Sequence, residues 1–585
     1  QGEELKAPDL EVDQLQQIVD VTARVNDVVK PEMTPAQASE ARKGAVADIE
    51  KEFSDTSKSL KGEVVTLYQG GQYHLYQYKR YSDVRLVFAP EYQIAFFGGD
   101  PDNFEFPRYD LDMCLFRVYE GGAPAKIDHH LAWSPSGAKD GELVFVSGHP
   151  GTTRRMYTVA ALEFLRDFQV PYMREYLARQ EIMLQQFSIR GKEQARRAKD
   201  ELFGVQNARK VYLGRIKGLQ DEQFMRSKQT AELALRTKVL ATPELKDLAQ
   251  AWDKVDAAMK TQKKLYLRYA LLERYQGFNS ELFNIARTVV RMADEKAKPN
   301  GERLKEFQDA NLSSLMVGLL SSAPLYADLE RAKLADALSY LQQGLGSSDA
   351  LVQQVLQGKD PVTRAAELVN GTQLMDVSIR QYYVDGGKKE ILASYDPMIQ
   401  LARLVDAASR KVRKSMEQNV DEVTKQAYAQ ISKAIFAVQG TSVYPDATFT
   451  LRLAYGQVKG YTEEGKAVPS MTTIGGAFEH ETAHEAKDPW ILPESWHKAK
   501  GTLDLSTPFN FVSTTDIIGG NSGSPVVNQA GELVGLIFDG NIHSLTSDYL
   551  YTDTLNRSVS VHSSAMLEAL KKVYGAEALA NELGK

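Results

Sequence analysis

Hydrophobic and polar residues alternate in short runs near both ends of the chain, whereas through its middle apolar residues recur every three or four positions. The first pattern predicts half-buried strands and the second amphipathic helices. Residues 1 to about 156 read mainly as β. Leu10 to Val25 is β-prone, and Pro35 to Ser54 predicts a helix capped by Thr34. Strands are predicted over Glu63 to Leu67, Gln72 to Arg80, Val84 to Phe88, Asp112 to Tyr119 and Leu143 to Ser147, separated by glycine-rich turns. Many short strands with turns between them suggest a barrel.

From about 157 to 437 glycine and proline thin out, and Ala, Leu, Glu, Lys, Arg and Gln dominate. Val159 to Gln186, Gly191 to Gly218, Asp221 to Arg236, Glu244 to Glu273 and Ala402 to Val438 predict long helices. From about 438 the β pattern returns, with Thr448 to Tyr455, Phe509 to Ile518, Val526-Val527 and Glu532 to Phe538. A last helix is predicted over Ser564 to Tyr574. The chain therefore divides as 1–156, 157–437 and 438–585, a helical block interrupting two β-rich ones.

Composition narrows the class. At 585 residues the chain is long enough for several domains. Its net charge of −7, with both signs interspersed, gives no nucleic-acid footprint. No apolar run approaches membrane-spanning length. The only cysteine, Cys114, falls in the apolar run Met113 to Val118, where a buried core thiol is expected, and no intramolecular disulfide can form. The chain begins Gln-Gly-Glu-Glu, which suggests a processed chain or a fragment.

The richest chemistry lies in Gly519-Gly520-Asn521-Ser522-Gly523-Ser524-Pro525, a tight loop between strands. Glycines there permit positive φ and close backbone approach. Ser522 is the candidate nucleophile, with the amides of Gly520 and Ser522 as its oxyanion donors. Pro525 and the β-branched run behind it exclude the strand-serine-helix elbow of α/β-hydrolases. A serine needs a base and an orienting carboxylate. Asp112 at the start of a strand fits the carboxylate, and Asp110 fits equally on pattern. None of the nine histidines is satisfactory. His74 sits mid-strand, His129-His130 follow the aspartate, and His149 belongs to a turn. His480-Glu481-Thr482-Ala483-His484 matches the zinc-peptidase signature, but glycines before it and Asp488-Pro489 after it leave only a very short helix and no third ligand. No metal or other cofactor is implied.

Four stretches carry a family resemblance: Tyr78 to Pro90, Phe97 to Arg108 (F-G-G-D-P-D-N-F-E-F-P-R), Gly519 to Asn528 and Phe538 to Asn541 (F-D-G-N). With Asn556-Arg557-Ser558 they resemble the bacterial dipeptidyl peptidase 7 and 11 family of chymotrypsin-clan serine exopeptidases. The resemblance implies an α+β fold, a chymotrypsin-like double β-barrel with a large inserted α-helical domain. It implies Ser522 as nucleophile and Asp112, rather than Asp110, as its carboxylate. Asn103, Asp539 and the helical block's Asn207 resemble residues that hold a substrate's α-ammonium, and Phe104 stands where the family often has tryptophan. Gly540 stands where the acidic-specific branch has arginine, which implies an open, uncharged pocket for a hydrophobic second residue. The implied substrates are oligopeptides with a free N-terminus, and the implied setting is a periplasmic or cell-surface homodimer.

One departure matters. The family's histidine lies in a Thr-Asn-His-His-Cys motif absent here, and Glu3-Glu4-Leu5-Lys6 resembles a segment that follows it. The chain is therefore expected to start after its general base, with the first strands of barrel one missing, and to be inactive or impaired by itself. The competing expectations are a peptide-binding pseudopeptidase that never had the histidine and an endopeptidase of the same clan.

Overall fold

The computed structural model describes residues 4–440 and 443–584. Glu3, part of the segment compared above, lies outside the described residues. After a two-residue strand at Leu5–Lys6, the first block carries strand β1 (Val12–Asp20) and, past a short helical turn at Thr22–Asn26, helix α1 (Pro35–Glu52). Thr34 accepts from the Gln37 amide and Gln37 reaches back to the Thr34 amide, a reciprocal cap that fixes where α1 starts. Strands β2 (Leu60–Leu67) and β3 (Gln72–Tyr81) form an antiparallel sheet with β1, in the order β1-β3-β2. Ile49 of α1 packs with Val64, Tyr73 and Leu75 of that sheet. Strands β4 (Asp83–Phe88) and β5 (Leu115–Glu120) pair antiparallel in a second sheet. Strand β6 (Leu143–Gly148) follows.

The middle is helical, as its periodicity predicts. Helix α2 (Lys192–Gln220) is the longest. Helices α3 (Glu281–Glu295) and α4 (Pro397–Met416) show how the block is held. Leu282, Phe283, Ile285, Ala286, Val289 and Val290 of α3 meet Met398, Ile399, Leu401, Ala402 and Val405 of α4 in one apolar core. Arg291 is buried between Glu273 and Asp406 (both 2.7 Å), so that its charge is matched where water cannot reach it.

The last block supplies strand β7 (Arg452–Gln457), helix α5 (Ile474–Ala483), and strands β8 (Pro508–Ser513), β9 (Pro525–Val527), β10 (Glu532–Gly540) and β11 (Ser558–His562). They form one large sheet in the order β7-β6-β9-β10-β11-β8, continued by Met471–Thr473. Strand β6, from the first block, sits hydrogen-bonded between β7 and β9. The sheet that carries the serine loop is thus built from both sides of the helical insertion. A bridge from Val458, just past β7, to Ser513 of β8 curls this sheet back toward itself. Val144, Val146, Phe511, Val526, Val534 and Ile537 fill its concave side.

Three expectations need correction. Cys114 is exposed, not buried. Along Leu111 to Cys114 burial alternates, so Cys114 shares the exposed face of Asp112 while Leu111 and Met113 point into the core. The predicted strand over Asp112 to Tyr119 starts only at Leu115, which leaves Asp112 on the irregular segment before β5. The segment around His480-Glu481 also folds as a ten-residue helix, α5, rather than a very short one.

Candidate active site

The serine loop is shaped by contacts its glycines alone allow. Gly520 adopts φ +110°, and a Cβ there would lie 2.6 Å from the His149 carbonyl oxygen and 2.8 Å from the Gly151 amide. Gly523 sits at φ +83°, and its amide donates to the Ile537 carbonyl (2.7 Å), tying the loop to β10. Asn521 is buried and donates to the Ile518 carbonyl (3.0 Å). Ser522, between these anchors, is exposed, and its hydroxyl reaches only the Phe538 carbonyl at 3.4 Å. Among the described residues the Gly520 and Ser522 amides have no acceptor. These two amides flank the serine hydroxyl and are left without a protein acceptor, the requirement for donors to an oxyanion.

Ser522 opens on a cavity of about 630 Å³ that Asp112, Asn103, Phe104, Asn207, Asp539 and Gly540 also line. Of the residues put forward from the sequence, these seven border one space, while Gly520 and the alternative carboxylate Asp110 do not line it. The seven arrive from four parts of the chain. Asp112 comes from the segment before β5; its side chain is exposed along the cavity wall, but the protein crowded around it desolvates the carboxyl and, with the Asp539 charge, raises it to about 6 against the pull of Arg108. Asp110 goes elsewhere. It is fully buried, its amide and carbonyl are held by the Asn510 side chain (2.7 and 2.8 Å), and its carboxylate meets Arg108 at 2.9 Å.

Asn103 ends the short helix Gly99–Asp102, and its side-chain amide donates to Asn207 Oδ1 on α2 (3.0 Å). Phe104 takes φ +64°, which turns its amide onto Asp539 Oδ2 (2.9 Å). Asp539 follows an irregularity in β10, where the register against β11 shifts between Ile537 and Asp539. A bulge of this kind re-aims a side chain, and here it turns the carboxylate toward the cavity. Its other oxygen accepts from the Gly540 amide (2.8 Å). The helical block closes one wall through α2, whose Gly214 packs so near Leu545 that a Cβ would lie 2.4 Å away.

Sequence reasoning missed Arg108. It lies in the F-P-R end of a motif already noted, yet nothing in the pattern marks it as central. In the fold it is buried and pairs with Asp539 (2.6 Å) and Asp110 (2.9 Å) while its guanidinium lies 5.3 Å from the Phe538 ring centre. Its signal was composition: an arginine two and four residues before Asp110 and Asp112, in an otherwise apolar approach to a strand. The two histidines of the zinc-like motif are committed to other partners. His480 Nε2 lies 2.9 Å from Asp102, and His484 Nδ1 lies 2.9 Å from the His480 carbonyl. Among the described residues no group of three or more His, Cys, Asp or Glu is placed to hold a metal.

The family model for peptidase S46 matches residues 1–585. The chain belongs to the peptidase S46 family. Among curated proteins, this S46 chain is 29% identical to the dipeptidyl-peptidase 7 of Phocaeicola vulgatus, over 99% of its length and 84% of the relative's. It is 28% identical to the Asp/Glu-specific dipeptidyl-peptidase of Shewanella putrefaciens, over 90% of this chain and 78% of that one. The crystal structure of Porphyromonas endodontalis DPP11 with the dipeptide Arg-Glu superposes on the S46 chain with a TM-score of 0.79 at 22% identity, covering 99% of this chain and 86% of that one. That likeness establishes a shared fold of mixed helix and sheet. No helix among the described residues is long and apolar enough to cross a membrane.

Proposed function

We propose that this protein is a serine dipeptidyl peptidase that releases dipeptides from free peptide N-termini through an acyl-enzyme. The observation that carries the reading is the convergence of Ser522, Asp112, Asn103, Asn207 and Asp539 on one cavity. In this reading Ser522 attacks the second peptide bond, and the Gly520 and Ser522 amides take the oxyanion. Asp112 orients a histidine that acts as general base. Asp539 and the side-chain oxygens of Asn103 and Asn207 hold the α-ammonium, which fixes the cut two residues from the end. A cavity of about 630 Å³ is of the size small ligands occupy.

The preferred second residue is hydrophobic. Gly540 adds no charge, and Phe96, Phe203, Val211, Ile518 and Leu545 contribute apolar wall. Arg215, also in the wall, is taken up by Asp548 at 2.8 Å. The proposed setting is a periplasmic or cell-surface homodimer, on the family resemblance alone.

A second reading, a peptide-binding pseudopeptidase, is favoured by one observation: among the described residues that line the cavity there is no histidine. The dipeptidyl peptidase reading needs a general-base histidine that these lining residues do not supply. The deciding experiment assays the protein as the cell produces it on fluorogenic dipeptide and N-acetylated dipeptide substrates. Cleavage of the free form alone, lost in Ser522→Ala, is the expected result. Equal cleavage of the blocked substrate would indicate an endopeptidase, and binding without turnover a pseudopeptidase.

A further inference from the structure

We propose that His480 and Trp490 are positioning residues for the ammonium site, acting through Asp102. The inference rests on the dipeptide-binding reading above and adds to it what holds that site in place. The loop from Gly98 to Phe104 carries two of its groups, the Asn103 side chain and the Phe104 amide that seats Asp539. Asp102, one residue before Asn103, does not face the ligand. Its Oδ2 lies 2.9 Å from His480 Nε2 and accepts from the Trp490 indole N–H at 3.0 Å. The two donors are themselves packed together. His484 stacks on Trp490 with ring centres 4.1 Å apart and planes 14° apart, and its ring lies 4.4 Å from that of His480.

The loop is shaped to accept this hold. Gly98 has φ +84°, and a Cβ there would stand 1.9 Å from Asp102 Oδ2, so the carboxylate folds back over a position only glycine can occupy. The Gly98 amide donates to the Pro489 carbonyl (3.3 Å), next to Trp490. On the opposite side Lys210 of α2 donates to the Asn103 carbonyl (3.2 Å). Lys210 and Asn207 belong to the helical block, whereas His480 and Trp490 belong to the serine-bearing block. The brace therefore ties Asn103 to the block that holds Asp539 and Ser522. Loops built over a ligand reach useful precision only when a supporting shell fixes them, because displacement of about 1 Å at a binding group costs about 10²-fold in rate. The zinc-like spacing of His480 and His484 is then the spacing of a clamp, one ring on the carboxylate and one on the indole that shares it.

The test measures binding, so it needs no turnover. The dipeptide Val-Leu and its N-acetylated form are titrated calorimetrically into the full chain. The wild type is expected to prefer the free amine. In His480→Ala/Trp490→Phe the affinity for Val-Leu is expected to fall about tenfold, with N-acetyl-Val-Leu unchanged, so the preference shrinks. His480→Gln, which keeps an N–H able to reach Asp102, is expected to retain most of it. A generally loosened fold would weaken both ligands together, and that outcome, like an unchanged preference, overturns the proposal. If the double variant does not fold, Trp490→Phe alone decides, with a smaller loss of preference in support and none against. Failure of the wild type to prefer the free amine would instead overturn the ammonium site itself, which separates the two readings.

Discussion

Arg108 and Asp539 form a buried ion pair at 2.6 Å, at the point where the cavity's binding end meets the approach to Asp112. The same guanidinium holds Asp110 at 2.9 Å, so one cation serves two carboxylates that have little water around them. Asp539 consequently enters any binding event already oriented, with Phe104, Gly540 and Arg108 each occupying part of it. A carboxylate preset in this way loses little freedom when a ligand cation arrives.

Removing Arg108 should be costly. Arg108→Leu leaves Asp110 and Asp539 buried without their shared cation, and breaking such a pair costs roughly 3–5 kcal/mol. Chemical denaturation should show a loss of that order. Arg108→Lys should fall between, because an ammonium keeps the charge but cannot reach both carboxylates as a planar fork does.

Acid should switch the site off through Asp112. Desolvation by the surrounding protein raises its carboxyl to about 6, and once protonated it cannot stabilise a histidinium. In the active protein kcat/KM should fall as acid protonates Asp112, and Asp112→Asn should lower kcat by about 10⁴ at neutral pH. For folding the sign is opposite. The folded state holds this proton more tightly than the unfolded chain, whose aspartate titrates near about 4. Asp112 therefore favours folding at low pH, and that contribution is lost as pH rises through about 6. Stability of Asp112→Asn measured across pH 4 to 7 should lack this decline.

Gly520→Ala should damage the oxyanion cradle more than the fold around it. Its Cβ would meet the His149 carbonyl and Gly151 amide at 2.6 and 2.8 Å, and φ +110° disfavours any side chain. A fall of about 10²–10³ in kcat, the size seen when one oxyanion donor is lost, is expected in steady-state assays. Dipeptide affinity should change far less, since the ammonium groups lie on other segments.

Gly540→Arg should shift preference from Xaa-Leu toward Xaa-Asp substrates. The new side chain brings a cation to a wall whose own arginines, Arg108 and Arg215, are already taken up by Asp539 and Asp548. A Cβ at this position would stand 2.3 Å from Ser544 Oγ, so Ser544 must rotate away, and a lower thermal midpoint should accompany the switch. The ratio of the two turnover rates is the measurement; a ratio unchanged from wild type would remove Gly540 from the specificity argument.

The alternation of strands, the three-to-four periodicity of the middle block, and the glycines around Ser522 were local properties, and the sequence by itself determined them. Thr34 and Gln37 set the start of α1, and Gly520 and Gly523 needed positive φ whatever lay nearby. Other features depend on residues hundreds of positions apart, and only the tertiary structure decided them. Asp110 and Asp112 look alike in the chain. Alternation alone would give the two the same face; Asp110 is drawn inward by Asn510, a residue on β8 that holds its backbone, and by Arg108, which meets its carboxylate, leaving Asp112 to the cavity. Cys114 is exposed because it shares the face of Asp112. Strand β6 joins the serine-bearing sheet because its two partners come from beyond the helical block, a pairing no local pattern encodes. Arg108 and His480 show the same limit. Their roles are set by Asp539 and Asp102, and an ion pair or hydrogen bond leaves no periodic trace in a sequence when its partners are brought together only by folding.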